Sequence, residues 1–155
     1  MKSSPYITAG GMAILSDELE QIWARRRDVV KALSAAAAEG DRSENAEYIY
    51  RKKELRGLDR RIRYLQKRMP DLRVISDTPD NIDVIFFAAW VTLENEQGDE
   101  VEYRIVGPDE IDHQKENISL DSPLAKALLG KQVDDEVSIT LEHGKVAYAV
   151  LAIRY

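Results

Sequence analysis

Two heptad seams separated by a five-residue connection constrain this chain more than any other feature. Leu15, Leu19, Ile22, Arg26, Val29, Leu33 and Ala36 step by 4, 3, 4, 3, 4, 3. That spacing keeps one edge of a helix against a partner helix, with Arg26 as a polar interruption. Leu55, Leu58, Ile62, Leu65, Met69 and Leu72 step by 3, 4, 3, 4, 3, and Tyr48 carries the seam back by one heptad. Between them lies Glu39-Gly40-Asp41-Arg42-Ser43. So short a connection makes the helices antiparallel neighbours. At ~1.5 Å per residue, a helix of about 28 residues is a rod of roughly 40 Å. Only a seam is buried, so the pattern describes a projection rather than a globule. Pro70 lacks an amide donor and disfavours helix in the residue before it, so the second helix should end or kink near Arg68–Met69. Gly57 costs that helix about 1 kcal/mol relative to alanine.

After Asp77-Thr78-Pro79-Asp80-Asn81 the period becomes strand-like. Val84–Leu93 is apolar and β-branched or aromatic, Asn95–Asp99 makes a turn, and Val101–Val106 alternates, which predicts a hairpin. Ser122 as cap, Pro123 at the first helical position and Gly130 past the end delimit a short helix. Val137–Leu141 and Val146–Ile153 predict a second hairpin around His143-Gly144-Lys145. The expected fold class is therefore a two-domain α+β chain. Residues 1–75 form an antiparallel two-helix coiled-coil finger with an acidic tip, and residues 76–155 a small α+β domain with a modest core. Phe86, Phe87, Trp90 and Tyr148 fit that core better than a ligand pocket. His113 and His143 fall in turns with no partner spacing for metal or acid–base work.

The net charge of −6 conceals an uneven distribution. Residues 1–73 hold 16 Lys+Arg against 11 Asp+Glu, whereas residues 74–155 hold 6 against 17. Residues 42–68 alone carry ten basic and four acidic side chains. The average charge argues against nucleic acid, but a basic stripe acts locally. The stripe is either a solvated helix face or a surface that holds phosphates without reading sequence. Arg51, Lys52 and Arg56 near the hairpin tip are the preferred candidates for phosphate contact, with Lys53 and Arg60 beside them. There are no cysteines, which removes disulfides, thiol nucleophiles and thiolate zinc sites and agrees with a reducing cytoplasm. No apolar run approaches the roughly 20 residues of a membrane span, and Met1–Gly10 lacks a signal-peptide core. A cytoplasmic protein with no membrane partner is expected.

The tip runs Gly40-Asp41-Arg42-Ser43-Glu44-Asn45-Ala46-Glu47-Tyr48. One account is structural: Gly40 ends the first helix in the left-handed conformation, and Asp41-x-x-Glu44 resembles a capping box opening the second. Another is chemical: carboxylates three apart at a helix start can point to one side and share a cation. Mg²⁺ takes six oxygens and commonly accepts one or two carboxylates plus phosphates and waters, so the pair would be half a site.

Ala37–Lys53, containing Gly40-Asp41-Arg42-Ser43-Glu44-Asn45-Ala46, and Leu58–Leu65, containing Asp59-Arg60-Arg61, closely resemble the Gre transcript-cleavage factors, and their GreB branch more than GreA. The resemblance continues through Phe86–Val91, Tyr103–Gly107 and Ile118–Leu129. It implies a coiled-coil finger entering the secondary channel of bacterial RNA polymerase, with an FKBP-like C-terminal domain docking on the polymerase through Asp121, Ser122 and Pro123. It further implies that Asp41 and Glu44 act as the catalytic and metal-binding pair, helping to hold the second catalytic Mg²⁺ of the polymerase. The polymerase's own active centre would then cut backtracked nascent RNA near its 3′ end. On this reading the chain is a monomer and an activator in trans rather than an enzyme. Two other readings remain: an inhibitory secondary-channel binder, and an FKBP-like prolyl isomerase or chaperone module. Two tip acids without an acid–histidine cluster make a self-sufficient nuclease a poor fit.

Overall fold

The first seam folds as helix α1 (Ala9–Ala37) and the second as α2 (Ala46–Arg68) in a computed structural model of the chain that describes residues 3–39 and 45–155. Every seam side chain is buried or half-buried, with Leu15, Val29, Ala36, Ile62 and Leu65 almost fully so. Ion pairs give the direction. Arg25 Nε lies 2.8 Å from Glu54, and Arg61 Nε 2.6 Å from Glu18. Partners on α1 therefore recede as those on α2 advance, and the helices are antiparallel. Arg26, the polar residue in the first seam, pairs with Asp59 at 2.7 Å. Hydrogen bonds from Arg25, and next from Arg51, hold the Glu54 carboxyl below its ordinary value. As expected from Pro70, α2 stops at Arg68, and Met69–Asp71 continues as a single 3₁₀ turn. The helix runs unbroken through Gly57.

Two compact units result: residues 13–72, and residues 1–12 together with 73–155. The first twelve residues join the second unit because strand β1 (Tyr6–Thr8) pairs in parallel with β2 (Arg73–Ile75). A boundary at 75/76 drawn from sequence separates these two strands from the unit they complete.

The second unit is built on a five-stranded sheet. It comprises β3 (Trp90–Asn95), β4 (Glu100–Val106), β5 (Asn117–Ser119), β6 (Glu136–Leu141) and β7 (Gly144–Arg154), in spatial order β5-β4-β3-β7-β6. Only the β4–β5 pair is parallel. Both predicted hairpins are present. Asn95 shapes the first turn by accepting hydrogen bonds from the amides of Gln97 and Asp99, and Gly98 takes the left-handed conformation there with φ 84°. Helix α3 (Pro123–Leu128) buries Ala125 and Leu128 against Val91, Leu93, Ile105 and Val150 of the sheet.

The apolar run Val84–Leu93 departs from expectation, since its strand begins only at Trp90. A turn closed by Ala89 N–H to Phe86 O at 3.2 Å, with Ala88 at φ 74°, interrupts the extended backbone. Ile85 and Ala89 reach the core from this loop, and the Ile85 amide bonds to Lys131 O. At Ile85 and Ala89 the apolar pattern thus reflects burial rather than sheet pairing. The four aromatic residues also divide. Tyr148 packs on the core, Phe86 is exposed, Phe87 meets the Tyr6 ring at 6.2 Å, and the Trp90 ring lies 4.4 Å from the Arg154 guanidinium.

A buried polar knot closes the unit. Glu110, only 2% exposed, accepts hydrogen bonds from the amides of Thr8 (3.0 Å) and Gly107 (2.8 Å) and from the Thr8 hydroxyl. The same hydroxyl oxygen accepts from Gly11 N–H at 3.0 Å, capping α1. A buried carboxylate is tolerated when several donors meet it, and here three do.

Candidate functional site

Asp41 and Glu44, the proposed catalytic and metal-binding acids, lie outside the described residues. The residue beside them is informative. Asn45 is the cap of α2, its Oδ1 accepting from Tyr48 N–H at 3.1 Å. Its Nδ2 donates to Ala36 O at 2.7 Å, near the end of α1. One side chain therefore satisfies an orphan donor at the start of α2 and ties it to a carbonyl near the end of α1. This cap stands four residues beyond Asp41, the acid that opened the capping box in the sequence. The role of Asn45 was missed there, although an asparagine directly before a helical run is a recognised start signal.

The basic candidates separate into two groups. Lys52, Lys53, Arg56 and Arg60 line one surface depression of about 560 Å³ with Tyr48 and Ile49. All four are exposed, and Lys52 Nζ lies 5.8 Å from the Tyr48 ring. Arg51 is turned to structure instead. Its guanidinium pairs with Glu47 at 2.8 Å and Glu54 at 3.0 Å. Hydrogen bonding to Glu47, then Glu54, raises its affinity for the proton above that of an ordinary arginine. The periodicity of the stripe allowed all five to be named, and Arg51 differs because acids stand four residues before it and three after it on the same helix.

The docking candidates are also engaged within the fold. Asp121 accepts from the Ser4 amide at 2.9 Å and from the Ser4 hydroxyl. Ser122 caps α3 by accepting from Ala125 N–H at 3.2 Å, and Pro123 opens that helix with an exposed ring. Among the described residues no group of three or more His, Cys, Asp or Glu could hold a metal ion, and no helix is long and apolar enough to cross a membrane.

Comparison with known proteins covers both units. The family described as transcription elongation factor, N-terminal, matches residues 5–74, and the family described as transcription elongation factor, GreA/GreB, C-terminal, matches residues 79–155. Transcription elongation factor GreB of Yersinia pestis is 52% identical over 156 residues, covering 100% of this chain and 91% of its own. GreB of Xanthomonas axonopodis pv. citri is 53% identical, with 99% and 93% covered. The crystal structure of GreA factor homolog 1 of Thermus thermophilus is 26% identical and covers 97% of this chain and 98% of its own. Its TM-score is 0.43.

Proposed function

Because the chain belongs to the GreA/GreB family of transcription elongation factors, we propose that it binds bacterial RNA polymerase and stimulates endonucleolytic cleavage of backtracked nascent RNA. The helical hairpin enters the secondary channel and delivers Asp41 and Glu44 to the polymerase active centre. The observation that carries this reading is the depression of Lys52, Lys53, Arg56 and Arg60, which begins within two turns of the tip on the helix that follows it. Such cations hold the phosphates of an extruded strand without reading its sequence.

Asn45 fills the capping role at the start of α2. The chemistry of Asp41 and Glu44 suits a shared Mg²⁺: two hard carboxylate donors, leaving the remaining oxygens to the polymerase, phosphate and water. When bound there, Mg²⁺ supplies stabilisation of the attacking and leaving oxygens in an in-line phosphodiester cut. The chain's own part is to bring two negative charges to the tip of a stiff hairpin. It acts in trans, as a factor rather than an enzyme.

Titrating the factor against a stalled elongation complex with labelled RNA tests the basic depression. Reversing Lys53, Arg56 and Arg60 to glutamate should flatten the dependence of half-saturation on salt by roughly two log units per log unit, at ~0.7 per phosphate contact. Longer backtracked RNAs should suffer more than short ones. An unchanged salt slope returns these residues to plain solvated surface.

The C-terminal unit is proposed as the anchor on polymerase, through the surface at Asp121, Ser122 and Pro123. Residues 74–155 carry a net charge of −11, from 6 basic and 17 acidic side chains, which suits a basic protein surface better than nucleic acid. Asp121 and Ser122 already serve the fold, so Pro123→Arg is the cleaner probe. It should raise the concentration for half-maximal cleavage roughly tenfold, equivalent to ~1.4 kcal/mol, with the same maximal rate. No shift would remove this end of α3 from the docking surface.

A further inference from the structure

Tyr50, Gly57 and Tyr64 lie seven residues apart and so form one line along α2. Three residues further along the chain, about 60° round the helix, runs the parallel line of Lys53, Arg60 and Lys67. Tyr50 is 59% exposed and Tyr64 44%, unusual for aromatic rings on a folded surface. Each ring has an arginine guanidinium 5.4 Å from its centroid, Arg51 for Tyr50 and Arg61 for Tyr64. Those arginines are themselves held: Arg51 by Glu47 and Glu54, Arg61 by two hydrogen bonds to Glu18 at 2.6 and 2.9 Å. The same ion pairs therefore hold a cation beside each ring. At Gly57, midway between them, a Cβ would meet nothing within 4 Å, so the line is bare there.

Exposed aromatic rings interleaved with a cationic row are the surface that unpaired nucleic acid recognises, through base stacking on the rings and phosphate contact with the row. We propose that Tyr50 and Tyr64 are two base-stacking stations for the extruded single-stranded RNA, with Lys53, Arg60 and Lys67 taking phosphates between them. The proposal rests on the reading that backtracked RNA lies along the hairpin. Its spacing follows from helix geometry. Fourteen residues at ~1.5 Å span about 21 Å, which at ~3.4 Å per stacked nucleotide corresponds to about six nucleotides. Tyr50, nearer the tip, meets every extruded strand. Tyr64 meets only strands long enough to reach it. Electrostatics alone predicts a graded benefit with length, whereas two stations predict a step.

The test uses the intact factor and stalled complexes backtracked by about three or about ten nucleotides, bracketing the six-nucleotide spacing. Tyr64→Leu keeps bulk and helix propensity but cannot stack, while Tyr64→Phe keeps the ring. Tyr64→Leu should raise the half-saturating concentration at least about fivefold on the long RNA and leave the short one unchanged. Tyr50→Leu should weaken both, and Tyr64→Phe should match the parent. An abasic nucleotide scanned through the extruded strand should abolish the Tyr64→Leu effect at one position, and the Tyr50→Leu effect about six nucleotides away. Equal losses on both RNAs, or losses indifferent to every abasic position, would mean that the rings touch protein and would overturn the stations while leaving cleavage stimulation intact. If the parent factor itself failed to stimulate cleavage, the functional reading would fall and the stations with it.

Discussion

Asp41→Asn or Glu44→Gln should each lower stimulated cleavage on the order of 10²- to 10³-fold, the usual cost of removing a group that stabilises charge in a transition state. Polymerase binding and helix content should stay close to those of the parent. Each change keeps the shape of the side chain and removes only its charge, so any loss reports on the anion rather than on packing. The expectation that stability survives comes from Asn45, which caps α2 by accepting from Tyr48 N–H and bonds to Ala36 O. Cleavage of labelled RNA in a stalled complex, measured beside thermal unfolding of the same variants, separates the two accounts. Activity lost only in proportion to melting temperature would make the acids structural and end the metal proposal.

A pair of adjacent glycines should give opposite results in the second large effect. Gly11→Ala puts a Cβ 2.0 Å from Glu110 Oε1, inside the buried knot with Thr8, whereas a Cβ at Gly10 meets nothing within 4 Å. The Glu110 carboxylate cannot yield without losing donors from Thr8 and Gly107. Overpacking a filled site costs about 1–3 kcal/mol, and each buried partner left unsatisfied adds about 1–3 kcal/mol. Gly10→Ala, by contrast, should be neutral or stabilise by up to about 1 kcal/mol, because alanine is the better helix former. Gly107→Ala should match Gly11→Ala, since its Cβ would lie 1.9 Å from Tyr6 O. Urea unfolding of the three variants decides the matter: equal midpoints would show that the knot is loose enough to give way.

The knot also bears on how the chain is divided for experiments. A fragment starting at residue 76 removes Thr8, β1 and β2, and leaves Glu110 without two of its three donors. Loss of polymerase binding by such a fragment would report on folding as readily as on docking. Pro123→Arg in the intact chain avoids this ambiguity because Pro123 is exposed.

Sequence alone determined the features whose information is local. A period of 3.5 residues names the two seams, a short connection makes them antiparallel, and Pro70 stops α2, all through contacts or restrictions within a few turns of chain. The same holds for α3, written out by Ser122, Pro123 and Gly130, and for both hairpins, whose strands are joined by short turns. The family-specific residues at the tip were also legible, because a motif is a string. Only the tertiary structure decided what depends on a distant partner. Nothing near Tyr6–Thr8 announces that it pairs with Arg73–Ile75, more than sixty residues away, or that Glu110 accepts from Thr8. Ile85 and Ala89 are apolar because the core receives them, and periodicity cannot say whether such residues arrive on a strand or a loop. Arg51 and Lys52 are adjacent cations in the sequence. Glu47 and Glu54, a turn to either side on the same helix, hold the first, and only the link from Glu54 to Arg25 of α1 needed the partner helix.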